Sequence, residues 1–291
     1  MAKKSKDKFI DAAQKYLQKQ QYDKAIKEYE KAFEEDRKDA RTALKLGELY
    51  VKVRKPQESI KYFRQAASGY AKDGFYPKAI SVNKQILLLD ESLTDVRLDI
   101  ADLQAKLGLM SEAIIQYRTS LEKFEKESNA EKVLEISKKM VEIEPHSPLN
   151  RVKLAECYFK GNQRDQGYVE FRKAADDLKR SQRWDDLIKL YERLTKADPA
   201  NPDNYLGFGD ALMERGELER AFQAYHQVLK YRPEDSDAME KVVAASVRLK
   251  DTQNAVAYLR KLVAIAEKKG DKKAAQTYYQ RIYKLQPDTD A

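Results

Sequence analysis

The chain has 291 residues, 42% of them hydrophobic and 36% charged, with a net charge of +8 and one cysteine. Its longest apolar runs are short, such as Ile86-Leu87-Leu88-Leu89, which excludes a bilayer-spanning helix. The lone Cys157 excludes an internal disulfide framework and suits a reducing compartment, the cytoplasm.

The opening residues 1–5 read as a basic tail, without the apolar stretch of a secretory signal. A first hairpin follows over 6–39. Phe9, Ala12, Ala13 and Tyr16 make one apolar stripe at helical spacing, and Tyr22, Ala25, Tyr29 and Ala32 make the facing stripe. A longer element over 40–93 repeats this with Leu46, Gly47, Tyr50, Ser59, Phe63 and Ala66, then continues to a third helix around Ala79. Elements over 94–147 and 148–201 have the same three-helix length. A plain hairpin at 202–235 carries Tyr205, Phe208, Gly209, Leu212, Ala221, Tyr225 and Val228, and a last three-helix unit spans 236–289.

One position, usually small, sets the register: Ala25, Ser59, Ala79, Ala113, Val133, Gly167, Leu187, Ala221, Ala255 and Ala275, separated by steps of 34 or 20. A 34-residue step between helix pairs is the mark of a tetratricopeptide array. The quoted residues resemble that repeat, with its usual early tryptophan replaced by Phe, Tyr or non-aromatic residues. The 20-residue steps resemble a bacterial-type tetratricopeptide solenoid with extra helices inserted. The expected fold is therefore all-α, a single continuous solenoid of about sixteen helices from 6 to 289. Four helices, containing Phe63, Tyr117, Phe171 and Leu259, must pack on both neighbours and are expected to be longer and more buried than the others.

Proline agrees with this register. Pro56, Pro77, Pro148 and Pro202 fall at expected first turns, and Pro145, Pro199, Pro233 and Pro287 follow expected helix ends. Gly74, Gly108, Gly161, Gly216 and Gly270 mark turns.

No catalytic constellation accompanies the repeat, so neither an enzyme nor a cofactor or metal is expected. His146 and His226 lie 80 residues apart with no third ligand in register. Cys157 has no His or Asn at matching helical spacing and reads as a buried small side chain. Gly207-Phe208-Gly209 lies inside a helix, not a phosphate loop. Trp184 and most tyrosines, among them Tyr16, Tyr158, Tyr191 and Tyr279, occupy repeat-core positions, which leaves few rings for stacking nucleic-acid bases.

The expected function is a non-catalytic scaffold or adaptor for other proteins. In tetratricopeptide proteins the first helix of each pair lines a concave peptide groove, and the resemblance places five such helices here. The first offers Lys45, Glu48 and Lys52, and the second Asp95, Asp99, Asp102 and Lys106. The third offers Lys153, Glu156 and Lys160, the fourth Asp203, Asp210 and Glu214, and the fifth Lys241 and Arg248. Charge thus alternates between helices, which would select partners by charge register. The chaperone-type carboxylate clamp is not matched, because its Lys and Asn places hold Ile10 and Gln14. An alternative is that the basic N-terminal end, with residues 1–73 at net +7, binds nucleic acid or an anionic surface. The interleaving of Lys with Glu at helical spacing reads instead as a solvated helix face.

Overall fold

A computed structural model describes residues 2–286; the expected stop at Pro287 and the hairpin limit at 289 lie outside them. The described residues form sixteen α-helices and no strand. The chain divides into two compact units, Met1–Pro145 and His146–Ala291.

The first unit holds α1 (Ala2–Gln18), α2 (Tyr22–Glu35), α3 (Ala40–Lys52) and α4 (Pro56–Lys72). It continues through α5 (Tyr76–Leu89), α6 (Thr94–Lys106), α7 (Met110–Lys126) and α8 (Ala130–Ile143). The second holds α9 (Pro148–Lys160), α10 (Arg164–Arg180), α11 (Trp184–Ala197) and α12 (Pro202–Arg215). It ends with α13 (Leu218–Tyr231), α14 (Ser236–Arg248), α15 (Thr252–Lys268) and α16 (Lys272–Leu285). Within each unit every helix packs on the next in chain order, the arrangement of an α-solenoid.

Helix starts follow local chemistry. Asp39, Asn129, Asn201, Asp235, Asp251 and Asp271 cap α3, α8, α12, α14, α15 and α16 by accepting bonds from backbone N–H groups of the first turn. Pro56, Pro148 and Pro202 open their helices at the first position, and Pro77 stands second in α5.

All ten register residues are buried. At several helix pairs, α3–α4 and α12–α13 among them, the contact depends on glycine. A Cβ on Gly47 would stand 2.3 Å from the Phe63 ring, and one on Gly209 would stand 2.3 Å from the Tyr225 ring. Ser59, itself buried, donates from Oγ to the Gly47 carbonyl at 2.9 Å.

The four double-sided helices α4, α7, α10 and α15 are each 17 residues long, against 13 or 14 for their neighbours. They are not more buried: seven of seventeen residues are buried in α4, against seven of thirteen in α3. Their added last turn still buries one residue in three of them, Tyr70, Leu178 and Ala266. Helix α1 also has 17 residues, beginning inside the segment expected as a tail. Its Phe9, Ala12-Ala13 and Tyr16 repeat the places of Phe63, Ala66-Ala67 and Tyr70 in α4. The pair α1–α2 thus shares its lengths and its register with α4–α5.

Tight turns place one residue in the left-handed region, but not always a glycine. Gly74, Gly108, Gly216 and Gly270 fill four such places, while Gln20, Arg54, Ser128, Asn162, Gln182 and Lys250 fill six. The expected turn glycine Gly161 has ordinary φ, and Asn162 beside it takes the strained position.

Candidate functional site

Four of the five first helices carry a carboxylate at one fixed register: Glu48 in α3, Asp102 in α6, Glu156 in α9 and Asp210 in α12, while α14 has Ala244 there. Each stands fifteen residues before an aromatic ring of the following helix, namely Phe63, Tyr117, Phe171 and Tyr225. Where the acid is aspartate the ring is tyrosine. Tyr117 donates its hydroxyl proton to Asp102, and Tyr225 donates to Asp210 at 2.9 Å.

A cation completes each group. Lys139 of α8 donates to both Asp102 oxygens at 2.9 Å, and Lys241 of α14 reaches Asp210 at 2.8 Å. Both ammonium groups also lie 5.9 Å from the ring centroid of their tyrosine. Arg193 of α11 holds Glu156 through two bonds of 2.7 and 2.8 Å. Glu48 pairs within its own helix, with Lys45 at 2.9 Å. Burial, then the bond to the carboxylate, pushes the Tyr117 hydroxyl well above its ordinary pKa. Burial, then the Asp210 charge, does the same to Tyr225.

These contacts engage most of the residues expected on a binding face. Asp95 pairs with Arg64 of α4, and the bond from that guanidinium holds its carboxyl below the usual range. Lys52 and Lys106 sit over the Tyr22 and Tyr76 rings at 5.2 and 5.7 Å. Asp203 takes a bond of 2.7 Å from Arg232, and Arg248 donates to the Met213 carbonyl at 3.0 Å. Lys153 is partly buried and also engaged, while Lys160 and Glu214 are exposed.

Asp99 differs from these. The same register holds Lys45 in α3, Lys153 in α9 and Lys241 in α14, but α6 presents a carboxylate there. It is exposed, between Asp95 and Asp102 on one helix face. Partial burial, then those two charges, raises its carboxyl above the ordinary value, while Arg64 and Lys139 act in the opposite direction. Asp99 opens on a pocket of about 260 Å³ whose walls include Arg64, Ser68, Asn83, Asp102 and Lys106. Two carboxylates, two cations and an amide line it, so it can receive a polar or charged side chain.

Sequence reasoning missed Arg64, Tyr117, Lys139, Arg193 and Arg232 as members of these groups. A signal existed: the acid-to-ring spacing of fifteen recurs, and the cation follows the acid by 37 residues both from Asp102 to Lys139 and from Glu156 to Arg193.

Elsewhere, Trp184 packs on the core of the second unit and Cys157 is half-buried, not buried. His226 accepts or donates a bond of 2.9 Å with Tyr258 and stacks near Phe222, while His146 is exposed. Among the described residues no group of His, Cys, Asp and Glu is arranged to hold a metal ion. No described helix is long and apolar enough to cross a membrane.

Comparison with known proteins identifies the repeat. The chain is similar to the TPR2AB domain of yeast Sti1, solved as a complex with pHSP90, at 19% identity over 96% of this chain and 98% of that one, with a TM-score of 0.37. It is similar to the MamA protein at 16% identity over 92% and 95% of the two chains, with a TM-score of 0.29. YrrB, described as a TPR protein with an unusual peptide-binding site, shares 14% identity over 87% and 97%, with a TM-score of 0.31. No curated protein sequence matches the chain. One tetratricopeptide repeat profile matches residues 10–77, 172–225 and 206–269, and a second matches 262–289. The matched residues cover more than half of the sequence, and the chain belongs to the tetratricopeptide repeat family.

Proposed function

We propose that the protein is a non-catalytic interaction scaffold that holds partner proteins on the exposed faces of its first helices. The carrying observation is Asp99, an exposed carboxylate between two others, left without a direct bond at the edge of a pocket. Like charges three and four residues apart on a helix oppose folding. A fold that keeps such an arrangement, while neighbouring acids all receive cations, is suited to a cation supplied from outside. The partner element is an extended or helical segment bearing Lys or Arg, seated against α6.

The basic N-terminal end lends less support to nucleic-acid binding. Lys6 pairs with Asp36 and Asp39, and Lys24, Lys52 and Lys61 lie over tyrosine rings. Cys157, with no second cysteine to pair, fits a reducing compartment such as the cytoplasm.

The test is selection from a random peptide display library on wild type and on Asp99→Asn. Wild type should enrich peptides with Lys or Arg, and the variant should lose that preference while remaining folded. Equal enrichment by both proteins removes α6 from the proposal, and no enrichment by either removes the scaffold reading for peptides.

A further inference from the structure

Each long helix ends near the loop that precedes the first helix of its unit, and elsewhere that meeting is complementary. Glu234 pairs with Lys268 of α15 at 3.5 Å, and His146 faces Asp177 of α10 at 3.8 Å. The Ser92 carbonyl accepts from Lys123 of α7. At the end of α4 the registers of Glu234 and Lys268 hold Lys38 and Lys72, two cations. The register of Lys123 and Asp177 holds Gly69, which puts no side chain between them. The result is a pocket of about 470 Å³ whose walls include Arg37, Lys38, Arg64, Gly69 and Lys72. Arg37, Lys38 and Lys72 are exposed, and their side chains make no hydrogen bond or ion pair among the described residues. Asp39, also on the wall, is already engaged by Thr42 and Lys6, which leaves Asp73 as the unpaired acid against three unpaired cations. The pair Arg37-Lys38 is unlike its counterparts Glu91-Ser92, Pro145-His146, Pro199-Ala200 and Pro233-Glu234. Arg64 and Ser68 belong to the walls of both this pocket and the Asp99 pocket, so the two adjoin across α4.

From this we infer that the two pockets hold one extended segment of a partner protein. An Asp or Glu of the segment sits among Arg37, Lys38 and Lys72, and a Lys or Arg sits beside Asp99. The inference deepens the scaffold reading and rests on it for the basic residue. Crossing a helix about 10–12 Å wide takes about three or four extended residues, which sets the separation of the two charges. Opposite charges at the two ends also fix the direction in which the segment lies. A nucleic-acid backbone suits this path poorly, because Asp73, Asp99 and Asp102 stand along it and would repel phosphates.

Peptide display on the full chain tests both charges at once, comparing wild type, Asp99→Asn and the double variant Arg37→Ala plus Lys38→Glu. The double variant copies the Glu234–Lys268 arrangement, so Lys72 gains a partner within the chain. It should melt as wild type does, since both replaced side chains are exposed. Wild type should enrich a Lys or Arg with an Asp or Glu three or four positions away. The double variant should lose only the acid, and Asp99→Asn only the base. Fluorescence anisotropy with a selected peptide gives the magnitude. Changing the peptide's acid to its amide should weaken binding to wild type by about three- to tenfold and leave binding to the double variant unchanged. A base enriched with no acid at a fixed distance, or an acid that survives in the double variant, overturns the inference and leaves the scaffold reading standing. Capture of a single-stranded DNA oligonucleotide through Arg37 and Lys38, in place of acidic peptides, overturns it as well. An acid enriched without the base removes α6 from the scaffold reading and the single segment with it. No enrichment of either charge overturns both.

Discussion

The groups around Asp102 and Asp210 have the same chemistry from different connections. In the second unit the cation on Asp210 is Lys241, from the first helix of the following pair. In the first unit the cation on Asp102 is Lys139, from α8, the inserted third helix of its 54-residue element. An inserted helix thus delivers a lysine where an ordinary array would use its next first helix. Insertion at α8 preserves the acid–ring–cation group, and Arg193 of α11 does likewise for Glu156. The two places differ beneath the ring: Gly209 lies under Tyr225, whereas Ala101 holds the corresponding register before Tyr117.

That difference gives the largest expected effect. Gly209→Ala would push a methyl group against Tyr225, which Asp210 and Lys241 hold in place. Overpacking of this kind costs about 1–3 kcal/mol, more than the about 1 kcal/mol that alanine contributes by helix propensity. Ala101→Gly should lose only about 1 kcal/mol by the same propensity. Amide exchange in α12–α13 and α6–α7 reads each effect locally, which matters because repeat arrays need not unfold in one step. A stabilised Gly209→Ala chain would contradict the packing account.

Turns come next. Gly216 has φ of +84° and Ser128 has φ of +55° in corresponding tight turns. Gly216→Ala should cost about 1–2 kcal/mol, the cost of placing a side chain in left-handed backbone. Ser128→Gly should return up to about 1 kcal/mol. Thermal melting of the two variants should therefore move in opposite directions, and a shared direction would show that the turns are not equivalent.

The hydroxyls give a smaller, paired effect. Tyr117→Phe and Tyr225→Phe should each cost about 1 kcal/mol, the net worth of a typical hydrogen bond. They should also reduce the loss of stability in alkali. Burial raises both hydroxyl pKa values in the folded chain, so the folded state keeps protons that the unfolded chain releases near pH 10. Stability is then full below pH 10 and falls as pH rises above it. Tyr62 and Tyr191, both pushed up to about 12, contribute to the same fall and should persist in the two variants. Urea unfolding between pH 8 and 11 measures the slope.

The sequence shows the helices far better than the site, for a physical reason. Helix order follows from steric rules that act every 34 or 20 residues: a buried residue such as Ala79 or Ala221, a ring beside it, and prolines confined to helix ends. These signals are local and repeat ten times. Apolar patterning on two faces overstates the burial of the long helices, because the exposed residues between the two stripes grow with helix length as well. Groove charges depend on pairs such as Arg64–Asp95 and Arg232–Asp203, which are 31 and 29 residues apart. Long side chains can reach several partners, and only the packed helices decide among them. Asp99 was visible as a charge, but its missing cation was not. Tyr279 holds a core register, yet the structure leaves it 54% exposed, which corrects the expectation of a core role.

Asp99 yields the smallest effect and the sharpest comparison, because Gly207 occupies its register in α12. Its carboxyl is raised in the folded chain, so the folded state binds more protons than the unfolded one just above the ordinary aspartate pKa of 3.8. The contribution of this group to stability therefore falls as pH rises through that window, opposite in sign to Asp95, whose depressed carboxyl loses stabilising power as pH falls. Asp99→Asn should remove the first dependence and leave the second. At neutral pH it should stabilise α6 by about 0.4–1 kcal/mol, from two like-charge helix pairs at about 0.2–0.5 kcal/mol each. If the variant is instead less stable at neutral pH, attraction from Arg64 and Lys139 outweighs repulsion by Asp95 and Asp102. Asp99 would then be a satisfied structural charge, and the pocket would lose its claim on a partner's cation.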